Sequence, residues 1–316
     1  MKTLLALILT LIGLDCFSQE AVPVKTYIVD SKDTIFYDPP LNTLVVGPVY
    51  VERGTADTIK FTSVQPATLN QVSITFQTLA VTDTIYVDWG EDAVVKVSGI
   101  TDQVKTSDYA TINKTYTIKV YGNLSKLSKF TIVTEATVRG IKSSELRKCV
   151  NLTYLYLNNL GTTGHTINTA DLVGMPLTYL YLNNLGTTGH TINTSDLVGM
   201  PLTYLTLSTL GTTTCTGQIS DLATGLTTMA IINCGTGISI TSGTMKAWAN
   251  AVITLTPSGT GYTTAQIDGF LNAWATPAGT GTKTIDLRGA NQARSSASNT
   301  SVSTLTTKGK TILTNP

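Results

Sequence analysis

The sequence predicts a mainly β protein with short helices, built as a stack of repeats that follows a two-sheet sandwich. Three observations carry that expectation. A 25-residue phrase, LTYLYLNNLGTTGHTINTADLVGMP from Leu152, recurs from Leu177 with one change, Ala170 to Ser195. A drifted copy begins at Leu202 and a shorter one at Leu226, so the starts are spaced 25, 25 and 24 residues. Ahead of them, Val72–Phe76, Thr84–Val87, Val94–Val97 and Tyr116–Val120 alternate apolar and polar residues, as half-buried strands do.

Inside a copy, Leu155 and Leu157 alternate with Tyr154, Tyr156 and Asn158, which reads as a strand with one buried face. One such strand cannot bury its own apolar side. Stacked copies can: they form a parallel sheet, with Leu152, Leu155, Leu157, Leu160, Ile167, Leu172 and Met175 filling one layer of a continuous core. A period in the twenties with Leu at +0, +3 and +5 is the leucine-rich-repeat pattern. Leu160, Leu185 and Cys234 occupy the slot where that pattern usually carries Asn or Cys. Gly161 and Gly164 permit the turn out of the strand, and Pro176 closes the unit.

The register extends both ways. Leu127, Phe130 and Ile132 place a degenerate first repeat 25 residues upstream, with a helical turn at Glu145–Val150. Strand slots recur at Ile253/Leu255, Ile285/Leu287 and Ile312/Leu313. Between them Thr263 or Thr264 can cap a helix over Ala265–Trp274, whose Ile267, Phe270, Leu271 and Trp274 share one face. A second helix spans Ser298–Lys308 and stops at Gly309. These longer units suit a terminal cap over the last apolar layer.

The N-terminus reads as a signal peptide. Lys2 gives the positive start, Leu4–Leu14 an apolar run too short to span a bilayer, and Ser18 the cleavage point; Asp15 argues against acylation of Cys16. The expected divisions are 1–18 signal peptide, 19–70 irregular lead-in with short strands, 71–122 sandwich, 123–256 repeats and 257–316 closing repeats and cap. Charged residues make up 13% of the chain and net charge is +1, which excludes the basic stripe that nucleic acid demands. The expected product is secreted or held at the cell surface, monomeric, and not inserted in the membrane after cleavage. Of four cysteines, Cys149, Cys215 and Cys234 survive processing and read as small buried residues. Asp-Thr-Ile occurs at Asp33, Asp57 and Asp83 and resembles a bacterial O-glycosylation acceptor; polar-then-β residues at strand starts are the simpler reading.

Tyr86-Val-Asp-Trp-Gly90, then Asp108-Tyr109 and Lys114-Thr-Tyr-Thr-Ile-Lys-Val120, resemble the PKD-type immunoglobulin-like domain. The turn after the tryptophan reads Gly90-Glu91-Asp92, and Ser107 stands where the family has histidine. The resemblance implies that Trp89 plugs the core and Asp88 caps the turn. With the repeats, the chain resembles secreted bacterial leucine-rich-repeat surface proteins, which implies adhesion to, or recognition of, a protein or glycan through the exposed strand residues. A structural spacer and a phage-borne receptor-binding component are the alternative roles.

Candidate ligand-binding residues follow from the alternation: Tyr154, Tyr156, Asn158, Tyr179, Tyr181, Asn183 and Tyr204 must project opposite the buried leucines. Tyr supplies a rigid amphipathic surface and Asn adaptable hydrogen bonds. His165 and His190, with Cys215 at the same repeat position, could align as a metal row, but one straight edge suits tetrahedral coordination poorly. Asp171, Asp196 and Asp221 form another row, read as turn caps. No phosphate loop, nucleophile elbow or zinc-protease motif occurs, so neither enzyme activity nor a cofactor is expected.

Overall fold

The computed structural model describes residues 35–38, 43–46, 58–65, 71–91, 94–107, 109–133, 137–160, 164–186, 189–210 and 215–316. The chain divides into two units, residues 1–54 and 55–316. In the first, β1 (Ile35–Asp38) and β2 (Thr43–Val46) pair antiparallel, within the stretch expected to hold short strands. The signal segment and the Asp-Thr-Ile starts at Asp33 and Asp57 lie outside the described residues.

The second unit is mainly β with short helices. It opens with β3 (Thr58–Val64), β4 (Ser73–Thr78), β5 (Ile85–Asp88), β6 (Val94–Val97), β7 (Gln103–Thr106), β8 (Thr115–Gly122), β9 (Leu127–Val133) and β10 (Val138–Arg139). Strand β3 lies in the last part of the stretch, 19–70, expected to hold short strands. Its alternation buries Ile59 and Phe61, and it pairs along its whole length with β8.

Strands from either side of residue 122 share a sheet. A five-stranded antiparallel sheet runs β10-β3-β8-β5-β6, but β4 and β7 belong elsewhere. Strand β4 pairs antiparallel with both β7 and β9, so these strands begin a ten-stranded sheet. Phe76 and Phe130 meet across that junction with ring centroids 5.8 Å apart. The inward residues of both sheets belong to the same buried cluster as the repeat leucines. Asp88 accepts the Gly90 amide at 2.8 Å and Trp89 is buried, each in the role the sequence suggested.

From β9 onward the large sheet is parallel. After α1 (Ser143–Leu146) come β11 (Tyr154–Asn158), β12 (Tyr179–Asn183), β13 (Ile192–Asn193), β14 (Tyr204–Ser208), β15 (Cys215–Gln218), β16 (Thr228–Ile232), β17 (Ile238–Ser239) and β18 (Val252–Thr256). Then follow α2 (Thr264–Ala275), β19 (Lys283–Asp286), α3 (Asn299–Thr307) and β20 (Lys310–Leu313). Strands β9, β11, β12, β14, β16, β18, β19 and β20 lie side by side, each one repeat from the next. Leu155, Leu180, Leu205, Met229 and Ile253 pair in one column, and Leu157, Leu182, Leu207, Ile231 and Leu255 in the next, all buried. Layers are also bonded through side chains: Thr153, Thr178, Thr203 and Thr227 each donate to a carbonyl one layer back, at 2.9–3.1 Å.

Strands β11, β12, β14 and β16 each leave the sheet through a left-handed residue: Asn159, Asn184, Thr209 and Asn233 have φ of 50–55°. Asn adopts that conformation readily, whereas a β-branched residue there costs about 1–3 kcal/mol, so Thr209 is a strained relic of the drifted third copy. On the opposite side, short 3₁₀ turns begin at Thr169, Thr194 and Ile219. At the end of the stack, Thr263 and Gln266 form a full capping box on α2, and Ile267, Phe270, Leu271, Trp274 and Leu305 are buried. No helix among the described residues is long and apolar enough to cross a membrane.

Candidate functional site

The candidate site is the solvent face of the ten-stranded sheet. In β11 and β12 every second residue is buried, and the intervening Tyr154, Tyr156, Asn158, Tyr179, Tyr181 and Asn183 are half-buried on the other side. Register then fixes their neighbours: Tyr154 pairs with Tyr179 and Tyr179 with Tyr204, while Tyr156 pairs with Tyr181 and Asn158 with Asn183. The seven residues singled out from the sequence therefore form one surface.

The tyrosines make two columns. Rings of Tyr154 and Tyr179 stack at 4.1 Å and 12°, Tyr179 and Tyr204 at 4.2 Å and 10°, and Tyr156 and Tyr181 at 4.2 Å and 8°. The columns approach each other at 6.2 Å between Tyr156 and Tyr179. Alongside them Asn183 donates to the Asn158 carbonyl at 2.7 Å, and Asn184 to Asn159 at 2.9 Å. Beyond Tyr181 and Asn183 in register, the shorter Thr206 and Ser208 are buried, so the third repeat offers less to solvent than its sequence position suggested.

Stacking consumes the ring faces. What remains outward is ring edge, phenol hydroxyl and amide. Burial, with the neighbouring Tyr181 next in effect, raises the pKa of Tyr156; burial likewise raises that of Tyr179, beside Tyr154 and Tyr204. The Tyr156 and Tyr179 phenols thus stay neutral at physiological pH and act as donors and acceptors rather than charges.

Sequence reasoning missed the near end of the first column. Lys129 holds the Tyr154 position in the degenerate first repeat, and its ammonium lies 4.6 Å from the Tyr154 ring centroid. The same ammonium contacts Asp102 at 2.8 and 3.0 Å, and Gln77 donates to that carboxylate at 2.7 Å. The hydrogen bond from Lys129, outweighing desolvation, holds Asp102 below the usual carboxylate range. The register announced by Leu127, Phe130 and Ile132 would have found Lys129; Gln77, on β4, and Asp102, just before β7, lie outside the repeat.

The other rows resolve as structure. His165 is buried, accepting from the Ile141 amide through Nδ1 at 3.3 Å, with Nε2 3.2 Å from the Leu160 carbonyl oxygen. His190 accepts from Ile167 in the same way at 3.3 Å. Burial depresses both pKa values, so both rings are neutral, each accepting an amide from the preceding layer. No group of three or more metal-capable side chains occurs among the described residues.

The aspartates are not turn caps, contrary to the sequence reading. Asn168 and Asn193 fill that role, accepting the amides of Ala170 and Ser195 at 3.1 Å. Each Asp instead accepts a hydroxyl from the preceding layer: Ser143 to Asp171 at 2.5 Å, Thr169 to Asp196 at 2.6 Å, Thr194 to Asp221 at 3.0 Å. The 3₁₀ turn starts earlier than the Asp, which leaves the carboxylate facing its neighbour. Asp171 also pairs with Arg147 at 2.5 Å.

The chain was compared with protein-family models, with curated proteins and with solved structures, and none of the three comparisons found a match.

Proposed function

We propose that this is an exported leucine-rich-repeat protein whose first repeat sheet doubles as one layer of an immunoglobulin-like sandwich, and that it binds a protein or glycan across the sheet's solvent face. The observation that carries the reading is the run of candidate residues in register across β11, β12 and β14, continued by Lys129 on β9. Adjacent strands lie about 4.8 Å apart, so the face presents hydroxyls and amides at a regular interval to an extended partner. Because the ring faces are stacked together, the ligand meets edges and hydroxyls, and Lys129 brings no net charge while Asp102 holds it. The apolar stripe of Tyr edges flanked by amides is the kind of mixed surface on which recognition is common.

A structural spacer is the second reading, and the same stacking favours it: each ring-on-ring contact ties neighbouring layers together with or without a ligand. A protein and glycan array probed with the chain from Gln19 separates the two. Saturable binding of a defined ligand supports recognition. A chain that folds but binds nothing on the array supports the spacer.

A further inference from the structure

Two of the buried thiols come together. Cys215 and Cys234 are 1% and 0% exposed, and both are in the thiol form. They sit in different repeats at different positions, Cys215 where earlier copies carry His165 and His190, Cys234 where they carry Leu160 and Leu185. The fold makes these positions neighbours. His165 already reaches the Leu160 backbone from that place, and Leu210 is the residue equivalent to Leu160 in the repeat that holds Cys215. The Cys234 thiol donates to the Leu207 and Ile232 carbonyls, of the preceding layer and its own, at 3.3 Å. Strand β15 pairs in parallel with β17, Gly217 opposite Ile238, and Gly237 packs against the Cys215 carbonyl, so the chain just after Cys234 lies beside Cys215.

We infer that Cys215 and Cys234 are a disulfide pair, closed when the chain folds in contact with an external disulfide such as oxidised glutathione. The thiolate of one cysteine attacks the external disulfide, forming a mixed disulfide and releasing one thiol. The second cysteine's thiolate then attacks the mixed disulfide, forming the Cys215–Cys234 bond and releasing the other thiol. The two protons and two electrons lost by the pair end on the two released thiols. Closure belongs to the folding chain: once the layers pack, the neighbouring Cys215, with burial next, pushes the Cys234 thiol up and leaves it unreactive. The bond would join the third repeat to the fourth, where Thr209 strains the strand exit. Cys149, in an earlier layer, has no part in it.

The chain's methionines make the test direct, because Met229 lies between the two cysteines and Met200 and Met245 flank them. The chain is refolded from denaturant in a mixture of oxidised and reduced glutathione, its strand signal checked, and cleaved with cyanogen bromide without reduction. Fragments 201–229 and 230–245 should travel as one species and separate on adding reductant. The link should persist in Cys149→Ser and vanish in Cys215→Ser. Separate fragments from the refolded chain, carrying free thiols or glutathione, would overturn the inference, as would a fragment joined instead to the one containing Cys149.

Discussion

Replacing Leu182 with Ala removes three buried carbons from the middle of the stack. Leu182 is fully buried, flanked in register by Leu157 on one strand and Leu207 on the next. Two rigid neighbouring layers limit collapse into the space, so the loss should approach the middle of the large-to-small range, about 3 kcal/mol. For a cooperative unit of this size each kcal/mol moves the melting temperature by roughly 2–4 °C, which gives about 6–12 °C. Thermal unfolding followed by far-ultraviolet circular dichroism reads this directly. Val198→Ser, at a position 60% exposed on a turn, serves as the control and should melt within about 1 °C of the parent. A Leu182→Ala melting temperature equal to the control's would mean that Leu182 does not face the core and that the register is wrong.

Three further outcomes follow. His165 and His190 have folded-state pKa values below their ordinary 6.5, so the unfolded chain takes up protons first as pH falls. Stability should hold above about pH 6.5 and decline below it, and urea midpoints should show less decline in a His165→Asn/His190→Asn double variant. Thr169→Val leaves the Asp196 carboxylate without its interlayer donor and should cost about 1–3 kcal/mol by urea titration; no loss would mean water replaces the hydroxyl. N-terminal sequencing of exported protein should begin within a few residues of Gln19, and an intact Met1 on that material would contradict the signal-peptide reading.

Much of this architecture was legible because a repeat states its register twice. The period located β11, β12, β14 and β16, and the same 25-residue step taken backward reached β9. Alternation alone then put Tyr154 and Tyr156 on the face opposite Leu155 and Leu157. What periodicity could not give is partnership between unlike segments. Nothing local to Ser73–Thr78 tells that it pairs with β9 and not with the five-stranded sheet, since its alternation fits either. Asp102 and Gln77 reach Lys129 only because of that pairing. The carboxylates of Asp171, Asp196 and Asp221 misled for a related reason. An Asp near a turn suits a cap, and only the three-dimensional stack reveals a nearer donor in the adjoining layer. The strain at Thr209 was hidden in another way: its place in the repeat is plain, but the left-handed backbone that makes Thr costly there leaves no mark on the apolar pattern.

The central claim is that the tyrosine columns are a recognition surface, and one titration addresses it most directly. The double variant Tyr156→Ser/Tyr181→Ser removes the second column while leaving every buried leucine in place. With folding confirmed by circular dichroism, its affinity for the ligand identified on the array is measured by calorimetry beside that of Val173→Asp/Val198→Asp, which alters exposed residues of the turns. The account predicts at least about a tenfold loss for the tyrosine variant, the equivalent of about 1.4 kcal/mol, and unchanged affinity for the turn variant. Unchanged affinity in the tyrosine variant, with binding lost from the turn variant, would contradict it.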